Sequence, residues 1–254
     1  MNLKHPAFAP YQALIAQLGL AQTLPDLDTL NAVSANLGTT QAHGLPVRFF
    51  APYGRLSARD YETHILHTGQ VPTRVDTWHD MLNALVWLRF PRFKSALNAA
   101  HGEAIAMETD TLRGRHRDAL TVLDESGVWV ISRAAELQTL LANRAWHALF
   151  WDQRAAVESE MAFIVVGHAL LEKALMPYPA ITGKCLMLTS NTLDPDGAEA
   201  LAVTELDAVR NPRLLAPLPI QGVPGWDPDN AQAAYYANRD IFRPLRDPVR
   251  EEGT

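Results

Sequence analysis

The segment from Thr77 to Pro91 constrains the fold more than any other part of the chain. Its apolar residues cover nearly all sides of a helix, which is typical of a helix surrounded by other elements. Asp76 or Thr77 can cap its first turn, and Pro91 can end it, because proline lacks a backbone N–H and clashes with the preceding turn. The segment therefore predicts a buried central helix.

Other periodic patterns predict more helices and a small amount of β-structure. The helical patterns cover residues 10–19, 26–37, 57–68 (a helix or turn), 92–105, 133–150, 153–175 and 195–209. Residues 117–132 alternate around the turn signal DESG, which predicts a β-hairpin, and residues 184–188 predict one further strand. The predicted fold class is α+β, mainly α-helical, with buried helices packed with a small β-hairpin or sheet.

The length of 254 residues, with 48% hydrophobic and 20% charged residues, is typical of one globular domain. Five prolines lie between residues 211 and 230. We therefore expect a core over about residues 45–210 and a Pro-rich C-terminal arm, residues 211–254, that wraps the core.

Charge and cysteine content restrict the partners and the compartment. A net charge of -6 disfavours nucleic acid and anionic membranes, because both require a cationic surface. No apolar run is long enough for a signal peptide or a membrane span, so we expect a cytoplasmic protein. The single cysteine, Cys185, excludes an internal disulfide and a Cys-rich zinc site. Its apolar surroundings would raise the thiol pKa, which disfavours a nucleophile.

The first two strong helices place polar residues among apolar ones, where an unpaired polar group is costly. In the first helix, His79, Asp80 and Asn83 share one face at 100° per residue. In the second, the spacing i, i+4, i+7 aligns three polar residues, namely Lys94, Asn98 and His101. The two stripes could face each other, because only Pro91 separates the helices.

A third helix, predicted over residues 153–175, carries Glu160, His168 and Glu172 on one side. His168 and Glu172 are one turn apart, a spacing that allows two side chains to hold one metal ion. The simpler alternative is a structural ion pair with Lys173.

Arginines alternate in the segment RGRHR, which precedes the predicted hairpin. If this segment is extended, Arg113, Arg115 and Arg117 project to one side and could bind a phosphate or carboxylate. In the hairpin itself, Asp118 and Asp124 point to one face.

Several motifs closely resemble those of one protein family. They are GQVPTR, WHDMLNALVWLRFPRFKSALN, RHRDALTVLDESG, GHALLEK, PGW and IFRP, and they extend from about Leu45 to Pro244. They resemble a bacterial family catalogued as domain-of-unknown-function family 3025. The resemblance implies a bacterial source and a single domain, and it implies no particular reaction.

A second similarity concerns the order of histidines and aspartates. His64 or His67, then His79-Asp80, then Asp118 or Asp124, is similar to the order in the HD metal phosphohydrolases. This resemblance implies metal-assisted phosphoester chemistry and does not assign a fold.

The leading hypothesis from the sequence is a metal-dependent hydrolase, with a phosphoester as one candidate substrate. The residues that would hold a divalent metal ion are His79, Asp80, His168 and Glu172. Lys94 and Arg117 would stabilise the substrate charge, and Asp118 or His101 would act as general base.

Two alternatives remain open at this stage. In one, the protein is a non-catalytic module that binds a small anionic molecule through Arg74, Lys94, Arg115 and Arg117, with Asn83 and Asn98 lining the same pocket. In the other, the polar residues form a structural network, and the protein is an interaction scaffold.

Overall fold

A computed structural model describes residues 1–108 and 114–245 of the chain. The α-helices of this part are α1 (Gln12–Gln17), α2 (Leu27–Leu37), α3 (Ala58–Thr68), α4 (Trp78–Arg89), α5 (Pro91–Met107), α6 (Arg115–Ser126), α7 (Ala135–Ala142), α8 (Arg154–Glu160), α9 (His168–Ala174) and α10 (Pro195–Glu205). The strands are β1 (Arg48–Phe50), β2 (Gln70–Pro72), β3 (Gly127–Ser132), β4 (Met161–Val165), β5 (Thr182–Thr189) and β6 (Ala216–Pro219). The predicted class, α+β and mainly helical with a small sheet, is confirmed.

The buried helix predicted from Thr77 is confirmed as α4. The hydroxyl of Thr77 accepts a hydrogen bond from the amide of Asp80, which caps the first turn. Every residue from Met81 to Leu88 is buried. The next helix, α5, begins at Pro91 as soon as α4 ends, because proline is well suited to a first helical position.

The predicted hairpin over residues 117–132 is wrong in its first half. Arg115–Ser126 form the helix α6, and the segment from Gly127 is the strand β3. The buried residues Ala119, Leu120 and Leu123 follow helical spacing, so the same residues satisfy both a period of two and a period of 3.6. Packing of the helix decides between the two.

The single helix predicted over residues 153–175 is also wrong, because this segment contains α8, the strand β4 and α9. The apolar run from Met161 to Val165 pairs with β3, and Gly167 separates the strand from α9. A short apolar run cannot be assigned to a helix or a buried strand from periodicity alone. The helix predicted over residues 133–150 is shorter than expected, and residues 148–152 form a π-helical turn.

The larger sheet has the strand order β4-β3-β5-β6. Its central strand β3 is antiparallel to β4 and parallel to β5, and all of its residues are buried. The strand predicted over residues 184–188 is confirmed as part of β5. A separate parallel pair joins β1 to β2, with Phe49 opposite Val71.

The Pro-rich segment after residue 210 packs on the rest of the chain as far as it is described. Its strand β6 is antiparallel to β5, and Tyr236 is buried in a group of aromatic rings that includes Phe150. The Asn230 amide donates to two backbone carbonyls of the same segment. Within the described residues, none of the helices combines the length and the apolar character needed to cross a membrane.

Candidate metal centre and cavity

A cavity of about 700 Å³ opens between the loop before α3 and the helices α3, α4 and α6. Its wall contains residues from five helices, from that loop and from the segment 72–74 at the end of β2. They include Pro52, Arg55, Leu56, Tyr61, Glu62, Arg74, His79, Asp80, Asn83, His101, Arg117, Thr121, Asp124, Glu125 and His168. Most of the residues predicted to carry chemistry therefore face one space, whose size is typical of small-molecule sites.

Two histidines from distant parts of the sequence meet on this wall. The Nε2 atoms of His79 and His168 are 3.1 Å apart, and a carboxylate oxygen of Glu125 lies within 4.8 Å of a ligand atom of each. His168 is buried, whereas His79 and Glu125 are partly exposed. The three side chains form a compact group with one side open to the cavity.

Local backbone geometry brings these residues together. His79 lies in the first turn of α4, His168 is the first residue of α9, and Glu125 lies in the last turn of α6. The start of α9 packs tightly on the end of α6, because a Cβ atom at Gly167 would lie 2.4 Å from the amide of Gly127. Glycine at position 167 therefore allows the approach of His168 to Glu125.

Each histidine also has a carboxylate on its other side. The Nδ1 atom of His79 is 3.0 Å from the carboxylate of Glu172, and the Nδ1 atom of His168 is 3.8 Å from that of Asp124. Metal-ligating histidines commonly have a carboxylate or carbonyl partner on the second nitrogen, which orients the ring. The arrangement leaves both Nε2 atoms available to one ion.

Charges near the centre keep its ligand atoms suited to a cation. Burial lowers the pKa of His168 to about 4, so the ring is neutral at pH 7. Burial alone would raise the pKa of Asp124, but the Lys94 ammonium group, and His168 once it is protonated at low pH, outweigh burial and lower the pKa to about 2. Burial and the nearby Asp124 charge raise the pKa of Glu125, and a bound cation would favour its ionised form.

The donor set fits a divalent transition metal. Two imidazole nitrogens and one carboxylate are three ligands of the types that Zn²⁺ takes in catalytic sites. Zinc–nitrogen bonds of ~2.0–2.1 Å in a tetrahedron place two nitrogens roughly 3.4 Å apart, close to the 3.1 Å observed between His79 and His168. Because Glu125 faces the open cavity, a fourth position would remain for water or substrate.

Of the four predicted metal ligands, only His79 and His168 belong to the candidate centre. Glu172 contacts the Nδ1 atom of His79, on the side of the ring opposite to His168. Asp80 forms a bidentate ion pair with Arg74, at 2.8 and 2.9 Å, and also accepts from the amide of Arg74. Burial opposes its ionisation, yet these bonds lower the pKa of Asp80. Glu125, which the sequence interpretation placed in a hairpin turn, takes the third position instead.

Three other predicted residues belong to a hydrogen-bonded network that joins four helices. The ammonium group of Lys94 donates to Asn83 and to Asp124, and the amide of Asn83 donates to the hydroxyl of Tyr61 at 2.8 Å. Asn98 donates to the carboxylate of Glu62 at 2.7 Å. Asn83 lies on the cavity wall, whereas Lys94 and Asn98 lie behind it.

The remaining predicted site residues lie at varying distances from the cavity. Arg117 is on its wall and forms an ion pair with Glu108 at 2.9 Å. His101 is buried on the same wall, whereas Asp118 and the exposed Arg115 are not among the wall residues. The extended RGRHR segment is wrong from residue 115 onward, because α6 begins there. Arg113 lies outside the described residues.

The positions suggested by the HD phosphohydrolase resemblance are only partly near the centre. The His64 ring packs against that of Phe50, with centroids 5.2 Å apart and planes tilted by 41°, and neither His64 nor His67 belongs to the cavity wall. Asp124 lies next to His168, as described above. The sequence reasoning overlooked Glu62, Arg55 and Glu125, and a helical interpretation of residues 115–126 would have put Glu125 and Asp124 near the end of a helix.

Comparison with known proteins identifies the family. The family model described as "Protein of unknown function (DUF3025)" matches residues 47–246. The chain belongs to this family. No curated protein and no solved structure shows significant similarity to this DUF3025 chain. Both histidines of the candidate centre, Glu125 and the cavity wall lie within the matched range.

Proposed function

We propose that the protein is a metal-dependent hydrolase whose divalent cation is held by His79, His168 and Glu125. The observation that carries this proposal is the 3.1 Å separation of the two Nε2 atoms on the wall of an open cavity. Glu172 and Asp124 would orient the two rings from the outside. When such a cation is bound, it lowers the pKa of a water molecule and so supplies a nucleophile near neutral pH.

The charge of the cavity wall disfavours the binding of an anionic substrate unless a metal cation is also bound. The described wall carries the carboxylates of Glu62, Asp80, Asp124 and Glu125 and the guanidinium groups of Arg55, Arg74 and Arg117. Two of these arginines already face carboxylates, because Arg74 pairs with Asp80 and Arg117 with Glu108. A phosphoester would therefore meet little free positive charge without a metal ion, which makes binding of an anion without a metal the weaker hypothesis.

The structural-network hypothesis explains only part of the polar residues. Hydrogen bonds to neighbouring helices account for Lys94, Asn83 and Asn98. His79 also contacts α9, through Glu172 at 3.0 Å and His168 at 3.1 Å, but its side chain is 34% exposed on the cavity wall, so it is not a buried polar group that requires such partners. We therefore assign Lys94, Asn83 and Asn98 to the support of the site and the two histidines to its chemistry.

Elemental analysis of protein purified without chelator or metal-binding tag tests the metal centre. We expect about one zinc or manganese ion per chain, and its loss in His79→Ala and His168→Ala. His147→Ala is the matched control, because His147 is exposed and its ion-pair partner in the described part of the chain is the exposed Asp152, at 3.3 Å. Absence of metal from all four proteins would contradict the proposal.

A panel of aryl phosphate and carboxylate esters, each with and without chelator, tests the hydrolase assignment. We expect chelator-sensitive release of phenol from at least one phosphate ester. Two histidines and one carboxylate also suit iron in oxygen-activating enzymes. Stoichiometric iron, with no hydrolysis of any ester, would contradict the hydrolase assignment and would still support the metal centre.

A further inference from the structure

Glu62 is the carboxyl group of the described cavity wall that neither belongs to the metal centre nor pairs with a cation. It lies on α3, and its Oε2 accepts a hydrogen bond of 2.7 Å from the Asn98 amide, which also donates to the Glu62 carbonyl at 3.0 Å. The other three carboxylates of the described wall are engaged: Asp80 with Arg74, Asp124 with Lys94, and Glu125 in the histidine group. Within the described chain, no cation lies within ion-pair distance of Glu62.

The surroundings of Glu62 favour a protonated carboxyl group. Burial, and then the charge of Asp124, raise its pKa to about 7, while Asn98 and the charges of Lys94 and Arg117 oppose the shift. The buried His101 lines the cavity together with Glu62, and the hydroxyl of the neighbouring Tyr61 accepts from Asn83. Because a group with a pKa near the working pH can both give and take a proton, Glu62 suits acid–base chemistry.

We propose that Glu62 is the catalytic acid of this hydrolase, protonating the leaving-group oxygen of a phosphate monoester bound in the cavity. This inference rests on the proposed function. The Asn98 bond occupies Oε2, so Oε1 is the oxygen that carries the proton. Asn98 is a positioning residue in this scheme.

The reaction balances with water as the only co-reactant. Glu62 starts the step protonated, and a water molecule that has lost one proton to the solvent attacks as hydroxide and forms the new bond to phosphorus. The bond between phosphorus and the ester oxygen breaks, and that oxygen takes the proton of Glu62. The products are an alcohol and inorganic phosphate, and Glu62 regains its proton from the solvent.

The test compares two substrates that differ in their need for an acid. Phenoxide is a poor leaving group and requires protonation, whereas p-nitrophenoxide leaves with little assistance. For metal-loaded Glu62→Gln we expect kcat/KM for phenyl phosphate to fall by ~10²–10⁴-fold. For p-nitrophenyl phosphate we expect a loss of less than about tenfold, and we expect the alkaline limb of the pH profile to disappear.

Two controls separate this role from a structural one. Glu136→Gln changes an exposed carboxylate on α7 and should leave both rates unchanged. Metal content should be equal in wild-type protein and Glu62→Gln. An equal loss on both substrates, or none, would overturn the role of Glu62 while leaving the hydrolase intact. Loss of metal in Glu62→Gln would make Glu62 a ligand instead. A wild-type metalloprotein that cleaves neither phosphate ester would refute the role of Glu62, and only a failure to hydrolyse any ester of the panel would refute the hydrolase as well.

Discussion

Replacing Lys94 by methionine should be among the most destabilising single changes in this protein. The Lys94 side chain is 5% exposed, that of Asp124 is 14% exposed, and the ammonium group also donates to Asn83 at 2.9 Å. Methionine fills much of the space of the lysine stem, so the change mainly removes the charge. Asp124 would then remain ionised, buried and without its cation.

The expected cost follows from that burial. Removing one partner of a buried ion pair costs about 3–5 kcal/mol, whereas the total free energy of unfolding of a domain is ~5–15 kcal/mol. For a chain of this size the loss corresponds to a decrease in Tm of roughly 6–20 °C, at ~2–4 °C per kcal/mol. We expect Lys94→Met to fold and to unfold at clearly lower urea concentration than wild type.

Urea unfolding followed by tryptophan fluorescence, with chelator present, measures this loss directly. Trp87 is a suitable reporter because the Lys94 ammonium lies 5.5 Å from the centroid of its ring. Arg133→Met is the control: its ion pair with Glu160 is 3.9 Å long and exposed, and such pairs contribute ~1 kcal/mol or less. Adding Asp124→Asn to Lys94→Met should recover part of the loss, since no lone charge remains.

The reasoning would be refuted if Lys94→Met unfolded within about 1 kcal/mol of Arg133→Met, the size of an exposed pair. Such a result would mean that water reaches Asp124 in the folded protein. Failure of the double variant to recover any stability would instead attribute the cost to packing and not to charge.

Three further predictions concern other parts of the molecule. Because the pKa of Glu62 is raised from 4.5 to about 7 in the folded state, its contribution to stability should fall as pH rises from 4.5 through 7, by up to about 3 kcal/mol. His168, whose pKa is lowered from 6.5 to about 4, contributes in the opposite direction, so the measured quantity is the difference in unfolding free energy between wild type and Glu62→Gln in pH-resolved urea titrations, and a difference that does not change with pH would contradict the prediction. Gly167→Ala should lower both Tm and zinc affinity, because its Cβ would lie 2.4 Å from the amide of Gly127. Gly114→Ala should change neither, because among the described residues its Cβ would approach only Glu108, at 4.0 Å; calorimetry with added zinc compares the two variants, and equal behaviour would refute the packing argument. The thiol of Cys185 is buried and burial raises its pKa, so an aromatic disulfide reagent should label it only in denaturant, and rapid labelling of native protein would show that the strand β5 is open to solvent.

The sequence predicted helix ends best, because a helix end is set by the residues of one short segment. The helix α2 begins after the side-chain cap of Asp26 and ends at Gly38, which has a φ of +64°, as its capping pattern predicts. The start of α4 at Thr77 and of α10 after Asp194 follow the same local rule. Capping and helical periodicity depend on residues within four positions of each other, so a short segment of the sequence is enough to predict them.

The polar stripes on α4 and α5 were also recognisable, because a polar residue in an apolar helix implies a partner. The sequence did not identify that partner. Lys94 could have faced a substrate, but its ammonium group contacts Asp124, thirty positions further along the chain. A buried polar residue requires a hydrogen-bond partner in any fold, but which partner it finds depends on which helices pack together.

By itself, then, the sequence determined a mainly helical α+β chain with a buried helix at α4 and titratable residues on its first turn. Only the tertiary structure decided that residues 161–165 are a strand, that Glu125 ends a helix, and that His79 meets His168, 89 positions away. The physical reason is that an apolar run of five residues, or an alternation that also fits a helix, has no local preference strong enough to select one form. Pairing with β3 and burial against neighbouring helices supply the free energy that selects it, and the same packing places the two histidines together.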